Sequence, residues 1–360
     1  MGAPLASPID SLSTALLDPT SEFFWHDAAH ILLSNATGGI QWQNTFADNV
    51  KGDYYPSTIT TGSPTAPFEV LVIAMTSGFL FSYNTQGIPV AGINLGNTST
   101  APTPSYLPVA PPVTSGYRVF VVARSVDRAT DDGRVYAYDV RDVAVDRMAL
   151  AWYVGVARGE ANADDRGSVM EPVVVVGSSL VLMTKSNRVT ILHNVVVAAS
   201  SDEVTVVEVP PFGFTVGKTA ATDVFFAADS SGKGVWMMSR TESNFLYHMS
   251  LEEGKCTRSI DMRKMLGVDD GREVVLSSRL TGFDCEGSPS DGCMLLSVGH
   301  RVVVLSLELD EEKILWTFLI PSKELVTGQI AIIVRGEEGG GGGGDVVIVR
   351  TESGVRGLLL

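Results

Sequence analysis

Along this chain, runs of Val, Ile, Leu, Phe and Tyr alternate with turns rich in Gly, Asp, Asn and Ser. One set of runs follows a polar or glycine turn: His30 to Ser34, Gly78 to Tyr83, Gly133 to Tyr138, Arg188 to Leu192, Asn244 to His248, Arg301 to Leu305 and Gly354 to Leu358. A second set comes just before them: Phe68 to Ala74, Tyr117 to Val122, Leu180 to Met183, Gly234 to Met238, Met294 to Val298 and Asp345 to Val349. β-Branched and aromatic residues suit a pleated, half-buried surface, so each pair of runs predicts a β-hairpin. The alternation of apolar and polar positions is imperfect, as expected of strands covered on both faces. Helical patterning is confined to Asp10 to Leu17, Arg263 to Leu266 and Ser322 to Leu325, and nothing supports a βαβ order.

The hairpins recur. Starts of the first set lie 48 to 57 residues apart, longer than WD40 blades and nearer the size of kelch blades. Each unit cannot bury its own faces and needs a similar neighbour on either side, which predicts an all-β propeller of six to seven four-stranded blades. A second mark repeats with them: a short turn followed by a strand bearing Trp42, Trp152 or Trp316. The segments "ILLSNATGGIQWQ" from Ile31 and "GRVYAYDV" from Gly133, leading to Trp152, carry it most clearly, whereas Val90 or Ala91 stands at that place after "FLFSYNTQG". This pattern resembles the repeat of the pyrroloquinoline-quinone-like propellers, related to quinoprotein alcohol dehydrogenases, in which the indole docks against the adjacent blade. The expected layout is an N-terminal extension over residues 1–24 and one propeller over 25–360. Trp25 to Phe46 reads as the outer half of a blade, so the N-terminal strand is expected to complete the last one.

Composition narrows the function classes. Hydrophobic residues make up 45% and charged residues 19% of the 360, with a mean hydropathy of +0.19, which excludes disorder. No apolar run approaches the 18 or so residues of a membrane-spanning helix. Twenty-six basic against 41 acidic residues give a formal charge of −15, and without a basic cluster nucleic acid is not an expected partner. Three cysteines form no disulfide framework, but Cys285 and Cys293 flank a Gly/Ser/Pro/Asp loop between two expected strands, where a hairpin could join them. Sequons at Asn35 and Asn97 favour a secretory or extracellular, glycosylated protein if used; Met1 to Leu17 shows no signal-peptide pattern.

Three segments resemble chemical motifs but fit plainer readings. "GFTVGKTA", Gly213 to Ala220, has only three residues between its glycines, where a phosphate-binding loop needs four, and reads as an inter-blade loop. "HDAAH", His26 to His30, would put two imidazoles on one face if helical, but it lacks a third ligand and a Glu. The acidic turns Asp127 to Asp132 and Asp164-Asp165 lack the spacing of a calcium loop, and Gly339 to Gly344 reads as a flexible hairpin tip. The resemblance implies a quinone held against an adjacent-cysteine disulfide beside calcium and a catalytic Asp. This chain has no adjacent cysteines, so no catalytic, cofactor or metal residue is assigned. The expected function is a monomeric, non-enzymatic scaffold for protein partners; a quinone-dependent dehydrogenase and a glycan or small-ligand binder are the alternatives.

Overall fold

The computed structural model describes residues 11–14, 22–26, 30–35, 40–45, 54–63, 66–75, 77–84, 88–95, 105–110, 112–126, 133–140, 148–157, 169–184, 189–209, 224–229, 231–239, 244–268, 280–283, 292–307, 313–320, 331–333, 346–351 and 354–359. They form seven antiparallel sheets in chain order. The first holds β1 (Ser11–Thr14), β2 (Glu22–His26), β3 (His30–Asn35) and β4 (Ile40–Thr45). The second holds β5 (Tyr54–Ser63), β6 (Ala66–Met75), β7 (Phe79–Asn84) and β8 (Pro89–Asn94). In the third, β9 (Tyr106–Pro108) and β10 (Val113–Ser115) both pair with β11 (Arg118–Ser125), followed by β12 (Gly133–Asp139) and β13 (Ala149–Ala157). The fourth holds β14 (Val169–Val176), β15 (Ser179–Thr184), β16 (Val189–His193) and β17 (Thr205–Val209). The fifth holds β18 (Val224–Ala228), β19 (Gly234–Ser239), β20 (Phe245–Ser250) and β21 (Lys255–Asp261). The sixth, after the short helix α1 (Met262–Leu266), holds β22 (Thr281–Phe283), β23 (Cys293–Val298), β24 (Arg301–Ser306) and β25 (Lys313–Leu319). The seventh holds β26 (Ala331–Ile333), β27 (Val346–Thr351) and β28 (Gly354–Leu359).

The first strands of the sheets stand side by side, β26 against β1, then β5, β10, β14, β18 and β22 in turn, so the sheets radiate from a ring. The core lies between sheets, and each middle strand serves two layers. On β11, Val119, Val121 and Ala123 pack with Val72 and Leu80 of the second sheet, while Phe120 and Val122 pack with Leu180, Leu182 and Leu192 of the fourth. Likewise Val235 and Met237 face the fourth sheet, and Trp236 and Met238 face the sixth. Successive side chains of a strand point to opposite faces, which is why these runs are apolar throughout. Each Val or Leu so buried contributes about 1.5–3 kcal/mol.

A further regularity appears in the outermost strands. Register shifts place Gln41, Val90, Ala151, Thr257 and Leu315 as extra residues opposite β3, β7, β12, β20 and β24. The residue after each bulge is Trp42, Ala91, Trp152, Arg258 or Trp316, so the tryptophan mark of the sequence is the residue that follows a bulge; Trp152 packs into the layer between third and fourth sheets and Trp316 toward the seventh. A bulge sharpens local twist and re-aims the residue beside it.

One expectation is corrected. Within the segment Asp10 to Leu17, expected to be helical, the described residues Ser11–Thr14 form a strand paired with β2, because its edge completes a sheet that a single helical turn could not. That strand also lies within the segment expected to be an extension. Among the described residues β1 belongs to the first sheet and packs beside β26 of the seventh. Helical residues 263–266 do fall within α1, whose N-cap Asp261 accepts hydrogen bonds from the Arg263 and Lys264 N–H groups.

Candidate functional site

A polar cluster of described side chains crosses the fifth sheet. Asp229 lies in the β18–β19 turn, His248 on β20, and Thr257 is the bulged residue of β21. His248 Nε2 stands 3.0 Å from Asp229 Oδ2 and its Nδ1 2.7 Å from Thr257 Oγ1. Ser231 Oγ donates to Asp229 Oδ2 at 2.9 Å, and the Lys233 N–H to Oδ1 at 3.1 Å. Room for the imidazole comes from Gly234, where a Cβ would lie 2.3 Å from His248 Nε2 and 2.6 Å from Asp229 Oδ2. The ring also rests 4.7 Å from that of Trp236. Burial by itself would push the Asp229 carboxyl up, but hydrogen bonds from His248, Gly234 and Ser231 outweigh it and hold it below the ordinary carboxylate range.

Threonine, imidazole and carboxylate in a line have the order of nucleophile, base and orienter. The threonine is nevertheless tied into the sheet, since its hydroxyl also reaches the His248 carbonyl oxygen at 3.3 Å. The cluster therefore works as a clamp that fastens a hairpin turn, a middle strand and an edge bulge of one blade. In the sequence His248 is only the last residue of the run from Asn244. Only the hairpin register brings it to Asp229, 19 residues away.

A second clamp joins two blades. Arg118, at the start of β11, is 1% exposed. Its Nε donates to Asp139 Oδ1 at 2.7 Å, and its Nη1 to the carbonyl oxygens of Val195 and Ala198 at 2.9 and 2.7 Å. The last two belong to the turn after β16, so the guanidinium crosses from the third sheet to the fourth. Arg258 repeats the device: its Nη1 donates to the Leu307 carbonyl oxygen of the sixth sheet at 3.0 Å. At the tight approach of fourth and fifth sheets, Gly177 has a positive φ of 57° and a Cβ there would meet the Gly232 carbonyl oxygen at 2.9 Å.

The residues singled out from the sequence fall as follows. Trp152 is buried in the layer between third and fourth sheets, its ring 6.0 Å from that of Phe120. Trp316 is half-buried, faces the seventh sheet and stacks on Phe318 at 5.8 Å. Trp42 lies on β4 opposite Leu33, and its side chain is outside the described residues. Cys293 is disulfide-bonded and Cys256 is free and exposed; Cys285 lies outside the described residues. Asn35 ends β3, whereas Asn97 is outside them. His26 ends β2 and His30 begins β3, so these two histidines do not share a helical face. The stretches 127–132, 164–165, 213–220 and 339–344 lie outside the described residues. Among the described residues no group of three or more His, Cys, Asp or Glu is placed to hold a metal, and no helix is long and apolar enough to cross a membrane.

No protein-family model matches the chain, and no curated protein matches it in sequence. Solved structures resemble it in fold. The BBS1N chain from a crystal structure with ARL6DN superposes with a TM-score of 0.57 at 13% identity, covering 99% of this chain and 92% of that one. A chain of the mitotic checkpoint complex gives 0.55 at 10% identity, over 100% and 97%. The RRP9 WD40 repeats give 0.58 at 7% identity, over 97% and 88%. The likeness establishes the β-propeller fold.

Proposed function

We propose that this chain is a non-enzymatic propeller that serves as a platform for partner proteins. The observation that carries the reading is the use of its polar groups: the Asp229–His248–Thr257 and Arg118–Asp139 clusters are spent on fastening turns and blades. A ring fastened in this way offers a rigid frame whose loops and rims can hold a partner. Two of the similar folds come from structures of assemblies, BBS1N with ARL6DN and the mitotic checkpoint complex, which supports the reading, although fold by itself licenses no function.

The test is crosslinking of the intact chain under native conditions, followed by mass spectrometry. The expected result is reproducible crosslinks between propeller residues and a small set of proteins, lost on denaturation. Absence of any specific partner would overturn the proposal, as would turnover in a dye-linked alcohol oxidation assay with added quinone and calcium.

A further inference from the structure

Six sheets have a described fourth strand, and five of those strands carry the bulge. β17 departs from the rule: it runs in unbroken register from Val189↔Val209 to His193↔Thr205. A bulge twists an outer strand out of the plane in which another strand could pair, so bulges, lysines and prolines guard exposed edges. The neighbouring edges are guarded in this way. β21 has its bulge at Thr257 together with Lys255 and Arg258. β25 is bulged at Leu315, with Trp316 and Phe318 packed toward the seventh sheet. Pro89 opens β8.

β17 has no bulge, lysine or proline within its five residues, Thr205-Val206-Val207-Glu208-Val209, and its one charged residue is Glu208. Among the described residues it pairs with β16 alone. Thr205 to Glu208 are all exposed, Val206 at 37% and Val207 at 38%. Val206 stands opposite Leu192 and Val207 opposite Ile191, residues that face different inter-blade layers, so the two valines flank the open edge on opposite faces. An added strand would therefore meet an apolar contact on either side of its backbone.

Charge selects the occupant. Residues 189–209 contain Asp202, Glu203 and Glu208 and neither Lys nor Arg. A second copy paired through this edge would set those acids against one another, and a five-residue edge covers far less than the roughly 1,200 Å² of a stable protein interface. An extended segment contributes main-chain hydrogen bonds over a small footprint and needs no such area. We infer that β17 is a strand-addition edge, taking an extended segment of a partner protein with β-branched residues at its centre and Lys or Arg at its ends. The inference rests on the platform reading and gives that platform a defined docking edge.

The experiment pans a displayed library of nine-residue peptides against the full chain and against its Val206→Lys and Val207→Lys variants. Both sites are exposed, and circular dichroism with thermal melts checks that the variants keep the fold. The expected peptides alternate β-branched residues between basic ends, lose at least tenfold in affinity for either variant, and slow amide hydrogen exchange at Thr205 to Val209. Recovery of no peptide sensitive to these variants overturns the inference, as does selection of acidic peptides. Sedimentation showing self-association that either variant abolishes also overturns it, in favour of a second copy. If the crosslinked partners of the intact chain persist in both variants, the platform stands and this edge alone falls.

Discussion

Arg118 offers the sharpest test of how the blades are joined. Replacing it with Met keeps much of the buried stem but leaves the Asp139 carboxylate without its ion-pair partner and the Val195 and Ala198 carbonyl oxygens without their shared donor. Removing one member of a buried pair costs about 3–5 kcal/mol. The Asp139 side chain retains 18% exposure and can partly rehydrate, which puts Arg118→Met near the lower end, about 3 kcal/mol. At about 2.1 cal/mol/K of unfolding entropy per residue, that lowers the midpoint of a chain this long by about 4 °C. Scanning calorimetry and urea titration measure the loss, and hydrogen exchange should quicken at Val195 to Ala198 on the fourth sheet, away from the mutated strand. Arg118→Lys should recover less than half of it, since an ammonium cannot reproduce the planar fork. Asp139→Asn in the Arg118→Met background should cost less than the sum of the single changes, by at least about 1 kcal/mol. A shift below about 1 °C, or strict additivity, would refute the claim that this guanidinium ties the third blade to the fourth.

Two further outcomes follow from the same geometry. Trp152→Ala removes a buried ring from an inter-sheet layer and should cost about 3–5 kcal/mol, whereas Trp316→Ala, half-buried at a rim, should cost about half as much; equal losses in urea unfolding would contradict the placement. Asp229 has a depressed folded pKa, so its contribution is present above the ordinary carboxyl value of about 3.8 and is lost as pH falls through the lower folded value. Asp229→Asn should therefore be less stable than the parent at pH 7 and show a smaller further loss on acidification, as read by urea midpoints at pH 7 and pH 3; parallel curves would sink the assignment.

The sequence by itself determined the kind of fold. Its recurring runs map onto the middle strands of the sheets, such as β11 with β12 and β23 with β24, because a strand covered on both faces must be apolar at nearly every position, and that signal is local. It also marked Trp42, Trp152 and Trp316 as members of one repeat. The inner strands β1 and β10 were not legible, being only four and three residues long and held by the ring more than by their own composition. The bulges were invisible as well, since an extra residue shows only once the register with the partner strand is known. Tertiary structure alone decided that Asp229 meets His248 and that Arg118 reaches the fourth sheet. The first contact depends on the hairpin register within the fifth sheet and the second on the spacing of the third and fourth sheets, and no pattern within a single segment encodes either.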